Sequence, residues 1–228
     1  MELTFENFRK NSNITMEYIW TNYFKKNHIF FKIKDEDIAV KNLITIFNAT
    51  LKLSNELGFQ SMTLRNLSKE TNLSMSTLNN YVPSKDELFK IIYIHGLNLI
   101  ADIMINSIKD ETSPRQRMEK AIKIHLYISE IIPQWFSFLY MEAKNLKPED
   151  RKVPMETELF TEKIFTDILS DGIKAKVYAE RNITLTSSVI KAMLQDWYLK
   201  RWKYKKRKIS VDQYALFIIE FLESYLKI

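Results

Sequence analysis

Residues 57–88, LGFQSMTLRNLSKETNLSMSTLNNYVPSKDEL, read as two short helices around a tight turn, then a loop and a third helix with its own start signal. The first short helix opens at Met62 and Thr63, where a hydroxyl caps free backbone N–H groups, and turns Leu64 and Leu67 inward. Asn72 follows at the turn, since asparagine tolerates the left-handed conformation that a sharp helix-to-helix turn needs. Ser74 caps a second helix running to about Asn80, with Leu73 and Leu78 as its apolar anchors. Helices so joined form a helix-turn-helix, whose second helix is the one that enters a DNA major groove. Pro83 then interrupts the backbone, and Ser84 restarts it with Lys85, Asp86 and Glu87 in the first turn.

Working outward, the acidic turn of Asp35, Glu36 and Asp37 starts a long helix that ends at Gly58, with a core stripe of Leu43, Ile46, Phe47, Thr50, Leu53 and Leu57. The helix restarted at Ser84 extends to about Ile108, and Thr112, Ser113 and Pro114 make the next break. Pro133, the segment 146–154 and the Asp171-Gly172 pair are further punctuation. The last two helices span about 184–204 and 210–226. Residues 1–36 hold eight aromatics, too many for a loose tail, and two readings stand. One is a basic arm in a minor groove. The other is a helix near 15–26 that packs on the body of the protein or on the partner subunit.

The chain has 228 residues, 46% of them apolar, which suffices for a substantial core. Only three Gly and five Pro argue against a turn-dense β fold, so the class expected is all-α. With no Cys there is no disulfide framework or thiolate metal site, and a reducing cytoplasm fits. No uninterrupted apolar run reaches the roughly 20 residues of a membrane helix, so no membrane partner is expected. The net charge of +6 suits a polyanion, yet residues 1–36 and 37–96 each carry six basic and five acidic groups. A positive reading face therefore depends on where Lys41, Arg65, Lys69 and Lys85 are placed.

Residues 46–89 resemble, without a gap, the N-terminal domain of TetR/AcrR-type transcriptional regulators. Gly58-Phe59, Thr63, Leu67-Ser68, Leu73-Ser74, Thr77-Leu78, Tyr81 and Ser84-Lys85-Asp86 with Leu88 meet that family's pattern. Asn72 and Ser76 stand where it has glycines, Asn79 where it has an aromatic, and Val82 where it has Phe. The resemblance implies a three-helix helix-turn-helix domain followed by a helical ligand-binding and dimerisation domain. The domain division expected is an N-terminal extension (1–36), a DNA-binding domain (37–96) and an effector and dimerisation domain (97–228). A small apolar or amphipathic effector in the last would release a repressor from its operator.

The residues expected at DNA sort by chemistry. Ser74, Met75, Ser76, Thr77, Asn79 and Asn80 lie on or at the start of the recognition helix, where an asparagine pairs with adenine and methyl groups meet thymine. Thr63, Arg65, Tyr81, Lys85 and the backbone at Ser84 suit phosphates. Asn80 reads equally as a helix-ending residue, and Tyr81 as a core residue with a satisfied hydroxyl. For the effector the candidates are His125, Trp135, Phe138, Tyr140 and Trp197, a set that reads as ordinary helical core as well.

Leu185, Val189, Met193, Trp197 and Arg201 repeat at four with Ile190, Leu194 and Tyr198 beside them, and the last helix carries Tyr214, Phe217, Ile218, Phe221, Leu222 and Tyr225. Each stripe is wide enough to face both its own core and a second subunit, the alternative being a closed monomer core. A two-fold dimer through about 184–226 would present two recognition helices to a pseudo-palindromic double-stranded operator. Residues 200–208 carry seven basic groups in nine and read either as a nucleic-acid or anionic-membrane surface or as a solvated, charge-rich helix end. His28, His95 and His125 show no metal-ligand spacing, and neither a phosphate-cradling glycine loop nor a nucleophile elbow is present, so neither cofactor, metal nor catalysis is expected. The alternatives to a ligand-responsive regulator are a DNA-organising or partner-controlled DNA-binding protein without an effector and, behind it, an all-α enzyme.

Overall fold

The computed structural model describes residues 3–145 and 151–228, and among these there are helices and no strand. In chain order they are α1 (Phe5–Asn11), α2 (Met16–Asn27), a single 3-10 turn (His28–Phe30), α3 (Glu36–Leu57), α4 (Leu64–Thr71), α5 (Met75–Asn79) and α6 (Lys85–Ile108). Then come α7 (Pro114–Ile131), α8 (Pro133–Asn145), α9 (Lys152–Lys174), α10 (Ile183–Leu199), α11 (Arg201–Lys206) and α12 (Val211–Leu226). Polar caps set many of the starts. Thr4, Thr15, Asp35, Thr63, Ser74, Asn182 and Ser210 each accept a hydrogen bond from the third backbone N–H of the helix they open.

The chain forms two compact units. The head comprises the described residues of Asn13–Leu99 and Phe138–Asp150; the body comprises those of Met1–Ser12, Ile100–Ser137 and Arg151–Ile228. In the head, α3 buries Leu43, Ile46, Phe47, Thr50 and Leu53, while Leu57 is exposed at the helix end. Gly58, at φ 76°, ends α3 in a conformation that L side chains avoid. Helix α2 packs on α3, with Ile19, Trp20 and Phe24 buried and the Trp20 and Phe47 rings 5.3 Å apart. Of the two readings of the extension, this segment takes the packed one. The residues before it behave differently: Phe5 and Phe8 of α1 set their rings against Tyr127 of the body, and Asp212 accepts from the Phe5 backbone N–H at 2.9 Å.

The body is built around α7, which packs on α9, α10 and α12 and buries Ile122, Ile124, Leu126, Tyr127 and Ile128. Two expected breaks differ. Asp171 and Gly172 lie inside α9; Gly172 is small because the Tyr178 ring rests on it, and an added Cβ would lie 2.1 Å from Tyr178 Cδ2. Conversely, the helix expected over 184–204 stops at Leu199 and restarts as α11, because Lys200 leaves helical geometry (φ −118°, ψ 33°). The segment expected as a break at 146–154 lies outside the described residues up to position 150. Helix α6 is long and apolar enough, by length and composition, to cross a membrane, although no uninterrupted run made it so. Half of its most apolar window is buried, with Ile92 and Met104 fully enclosed, as in a core helix.

Candidate nucleic-acid interface and effector pocket

The turn between α4 and α5 is made by Asn72 in the left-handed region, at φ 55°. Thr63 and Asn66 cap α4 reciprocally: the Asn66 N–H donates to Thr63 Oγ1 at 3.1 Å and the Thr63 N–H to Asn66 Oδ1 at 3.0 Å. Ser74 accepts from the Thr77 N–H at 3.0 Å, and the two hydroxyls are themselves 2.9 Å apart. Leu67 and Leu78 are fully buried and hold the two helices together, while Leu64 and Leu73 are half-buried. With those faces spent, Met75, Ser76 and Asn79 are left exposed on α5, and Thr63, Arg65 and Ser74 beside it. Ser76 and Asn79, three apart, share one helical face and are free of internal ties among the described hydrogen bonds.

The other DNA candidates are more committed. Thr77 is half-buried and occupied by the Ser74 cap. Asn80 closes α5 as its C-terminal cap. Tyr81 is buried, with its ring 5.8 Å from that of Phe31 and its oxygen accepting from Asn42 Nδ2 at 2.9 Å, and burial raises its phenol above the ordinary range. The core reading of Tyr81 thus describes its ring, and Asn42 is the partner that sequence reasoning missed. Lys85 donates to the Gln60 carbonyl at 2.8 Å and lies 5.5 Å over the Phe59 ring, which pins the start of α6 to the loop before α4.

The five effector candidates fall into three environments. His125 lies in the body core, 2% exposed, its ring 5.6 Å from Phe136 and 6.3 Å from Tyr198. Its Nδ1 has no hydrogen-bond partner, and burial, aided by the charge of Lys191, holds the imidazole well below its usual range. Trp135 is also enclosed in the body. Trp197 serves another cluster, stacked between Tyr204 and Tyr214 at 4.8 and 5.0 Å, with its Nε1 donating to Glu130 at 2.8 Å. Phe138 belongs to the head, against Phe59 at 5.5 Å, and Tyr140, also there, is exposed.

Sequence reasoning missed Lys191, which is 4% exposed and donates to Thr161 Oγ1 at 2.9 Å. Burial lowers its ammonium even with Glu158 3.7 Å away. Its place on an apolar helix face is the signal that should have flagged it. Among the described residues, no group of three or more His, Cys, Asp or Glu is placed to hold a metal ion.

Residues 111–222 match the sequence profile of the tetracyclin repressor-like C-terminal domain. The fold is shared with a tetR-family regulatory protein from Rhodococcus RHA1 at 16% identity and a TM-score of 0.69, covering 79% of this chain and 94% of that one. It is also similar to Bacillus subtilis FadR, solved with stearoyl-CoA, at 16% identity and TM-score 0.68, covering 79% and 97%. A third neighbour is AibR, solved with isovaleryl coenzyme A and operator DNA, at 13% identity and TM-score 0.68, covering 79% and 97%. No curated protein matches by sequence. The matched body profile, joined to a helix-turn-helix with its turn and caps in place, leaves one conclusion: this chain belongs to the TetR/AcrR family of transcriptional regulators.

Proposed function

We propose that the protein is a cytoplasmic, homodimeric transcriptional repressor that an amphipathic effector releases from a pseudo-palindromic operator. The observation that carries this reading is the outward face of α5, where Met75, Ser76 and Asn79 project from a helix whose other two residues, Thr77 and Leu78, are committed to its cap and core. Asn79 offers the bidentate pair that recognises adenine, Met75 an apolar contact for thymine, and Thr63 and Arg65 suit phosphates. Exposed Leu185, Val189, Phe217 and Phe221 on α10 and α12 support a dimer that pairs two such helices.

The effector site we favour is the body cluster of His125, Phe136 and Tyr198 with Lys191 nearby, a mostly apolar wall with two buried polar groups. The coenzyme A thioesters seen in AibR and FadR make acyl compounds the first class to test. Release requires that the effector bind one arrangement of the DNA-reading heads more tightly than the other.

The test is fluorescence anisotropy with DNA from upstream of the protein's own gene, scrambled competitor and a salt series. Saturable, competitor-resistant binding should weaken with salt and drop roughly tenfold or more in Asn79→Ala, the loss of one base pair contact. Binding that scrambled DNA erases equally from wild type and variant would overturn the assignment of α5 as the reader.

A further inference from the structure

The strongest concentration of charge lies away from the recognition helix, at the corner where α10, α11 and α12 meet. Seven cations in 200–208 face three carboxylates, Asp196, Asp212 and Glu130, which leaves four of the chain's net +6 charges in this corner. The structure sorts the cations. Lys200 and Lys203 each reach Asp196 at 2.5 Å, and Arg201 is paired with Glu130. Lys205, Lys206, Arg207 and Lys208 are exposed, and no carboxylate pairs with them among the described residues. Asp212 is likewise occupied, accepting from the Phe5 N–H and the Tyr127 hydroxyl.

Beside these cations the surface is concave. A groove of about 690 Å³ runs past Trp197, Trp202, Lys205, Ile209 and Val211, with the Arg201–Glu130 pair and the already occupied Asp212 also in its wall, within the roughly 300–1,000 Å³ typical of small-molecule sites. Trp202 is 69% exposed, whereas Trp20, Trp135 and Trp197 are at most 3% exposed. Lys205 and Lys206, three and four residues on, share its helical face. An exposed indole and the unpaired Lys205 lining one groove, with exposed Lys206 next in the chain, match a ligand with a flat aromatic ring and phosphates. The ring stacks on the indole, and the phosphates take the cations. Neither a membrane surface nor a DNA duplex makes use of the concavity.

We propose that this groove is a nucleotide-binding site, with Trp202 stacking a purine and Lys205 and Lys206 holding its phosphates. The same chemistry is offered by a free purine nucleotide and by the nucleotide end of coenzyme A. The proposal is independent of the effector cluster at His125 and of α5.

The experiment titrates the full-length protein at low salt with ADP, coenzyme A, adenosine and pyrophosphate. Binding is followed by calorimetry and by quenching of the red-edge tryptophan emission, to which exposed Trp202 is the natural contributor. ADP should bind saturably and roughly tenfold or more tighter than adenosine or pyrophosphate, because each of those lacks one half of the recognition. Trp202→Ala and the double variant Lys205→Glu/Lys206→Glu should each weaken ADP about tenfold, with melting temperature and operator binding unchanged. Coenzyme A binding as tightly as ADP would assign the site to its nucleotide end, and ADP alone would assign it to free nucleotides. ADP no tighter than pyrophosphate, full ADP affinity in Trp202→Ala, or competition at this corner by duplex DNA but not by ADP would each overturn the proposal. Operator binding would stand in all three cases.

Discussion

His125 shows what a single buried group does to the whole protein. Enclosed and held well below its usual value of 6.5, it stays neutral in the folded state, while in the unfolded chain it protonates near that value. The unfolded state therefore binds the extra proton first on acidification. The stability involved is present above about pH 6.5 and is lost as pH falls from there towards the folded-state value. Urea titrations between pH 7 and 5 should show a loss of up to about 1.4 kcal/mol per pH unit from this group. His125→Phe should flatten that slope; an unchanged slope would show that the imidazole is not the source. Gly172 is a second residue whose role is steric. With the Tyr178 ring on its face, Gly172→Ala should cost about 1–3 kcal/mol by overpacking, read as a lower urea midpoint at constant m. In the sequence this glycine reads as a helix break because glycine is a common stop; what makes it necessary is a ring six residues on.

Among elements, the joint between α10 and α11 is decided by Asp196. Its burial raises the carboxyl pKa, but hydrogen bonds from Lys200, Lys203 and Tyr204 outweigh that and hold it well below its usual 3.8. A depressed carboxyl contributes stability that is present above its unfolded value and lost as pH falls through the folded one. Thermal melts should therefore show no contribution from Asp196 to pH dependence between pH 7 and 5, and a loss beginning near 3.8. Asp196→Asn at pH 7 should cost about 1–2 kcal/mol, since the exposed Lys200 partner is solvent-screened. No change in the Asp196→Asn melting temperature would show that the stack of Trp197, Tyr204 and Tyr214 sets the joint alone. Apolar periodicity runs unbroken through Lys200, with no Gly or Pro to mark a stop, so a single helix was the natural expectation. The caps at Thr63 and Ser74, in contrast, were legible because each acts on its own backbone within three residues.

For the whole molecule, the pattern of exposure on α10 and α12 bears on assembly. Each helix turns one stripe inward, Ile190, Leu194 and Trp197 or Ile218 and Leu222, and leaves a second apolar stripe outside. Leu185 and Phe217 are 64% and 61% exposed, an apolar surface that a second copy would cover. Phe221→Glu should shift the protein to monomers in sedimentation velocity and weaken operator binding by at least about tenfold, since a lone head engages one half-site. A dimer of wild-type affinity in that variant would place the interface elsewhere. The sequence by itself determined the helical class, the helix-turn-helix with its left-handed Asn72 and the double-sided stripes. Those depend on interactions within a few residues or on simple periodicity. Only the tertiary structure decided which aromatics share a wall, that Lys191 is buried, that Tyr81 is tied to Asn42, and that the N-terminal segment divides between body and head. Such pairings join residues far apart in the chain, and their energies depend on packing and desolvation that no local spacing encodes.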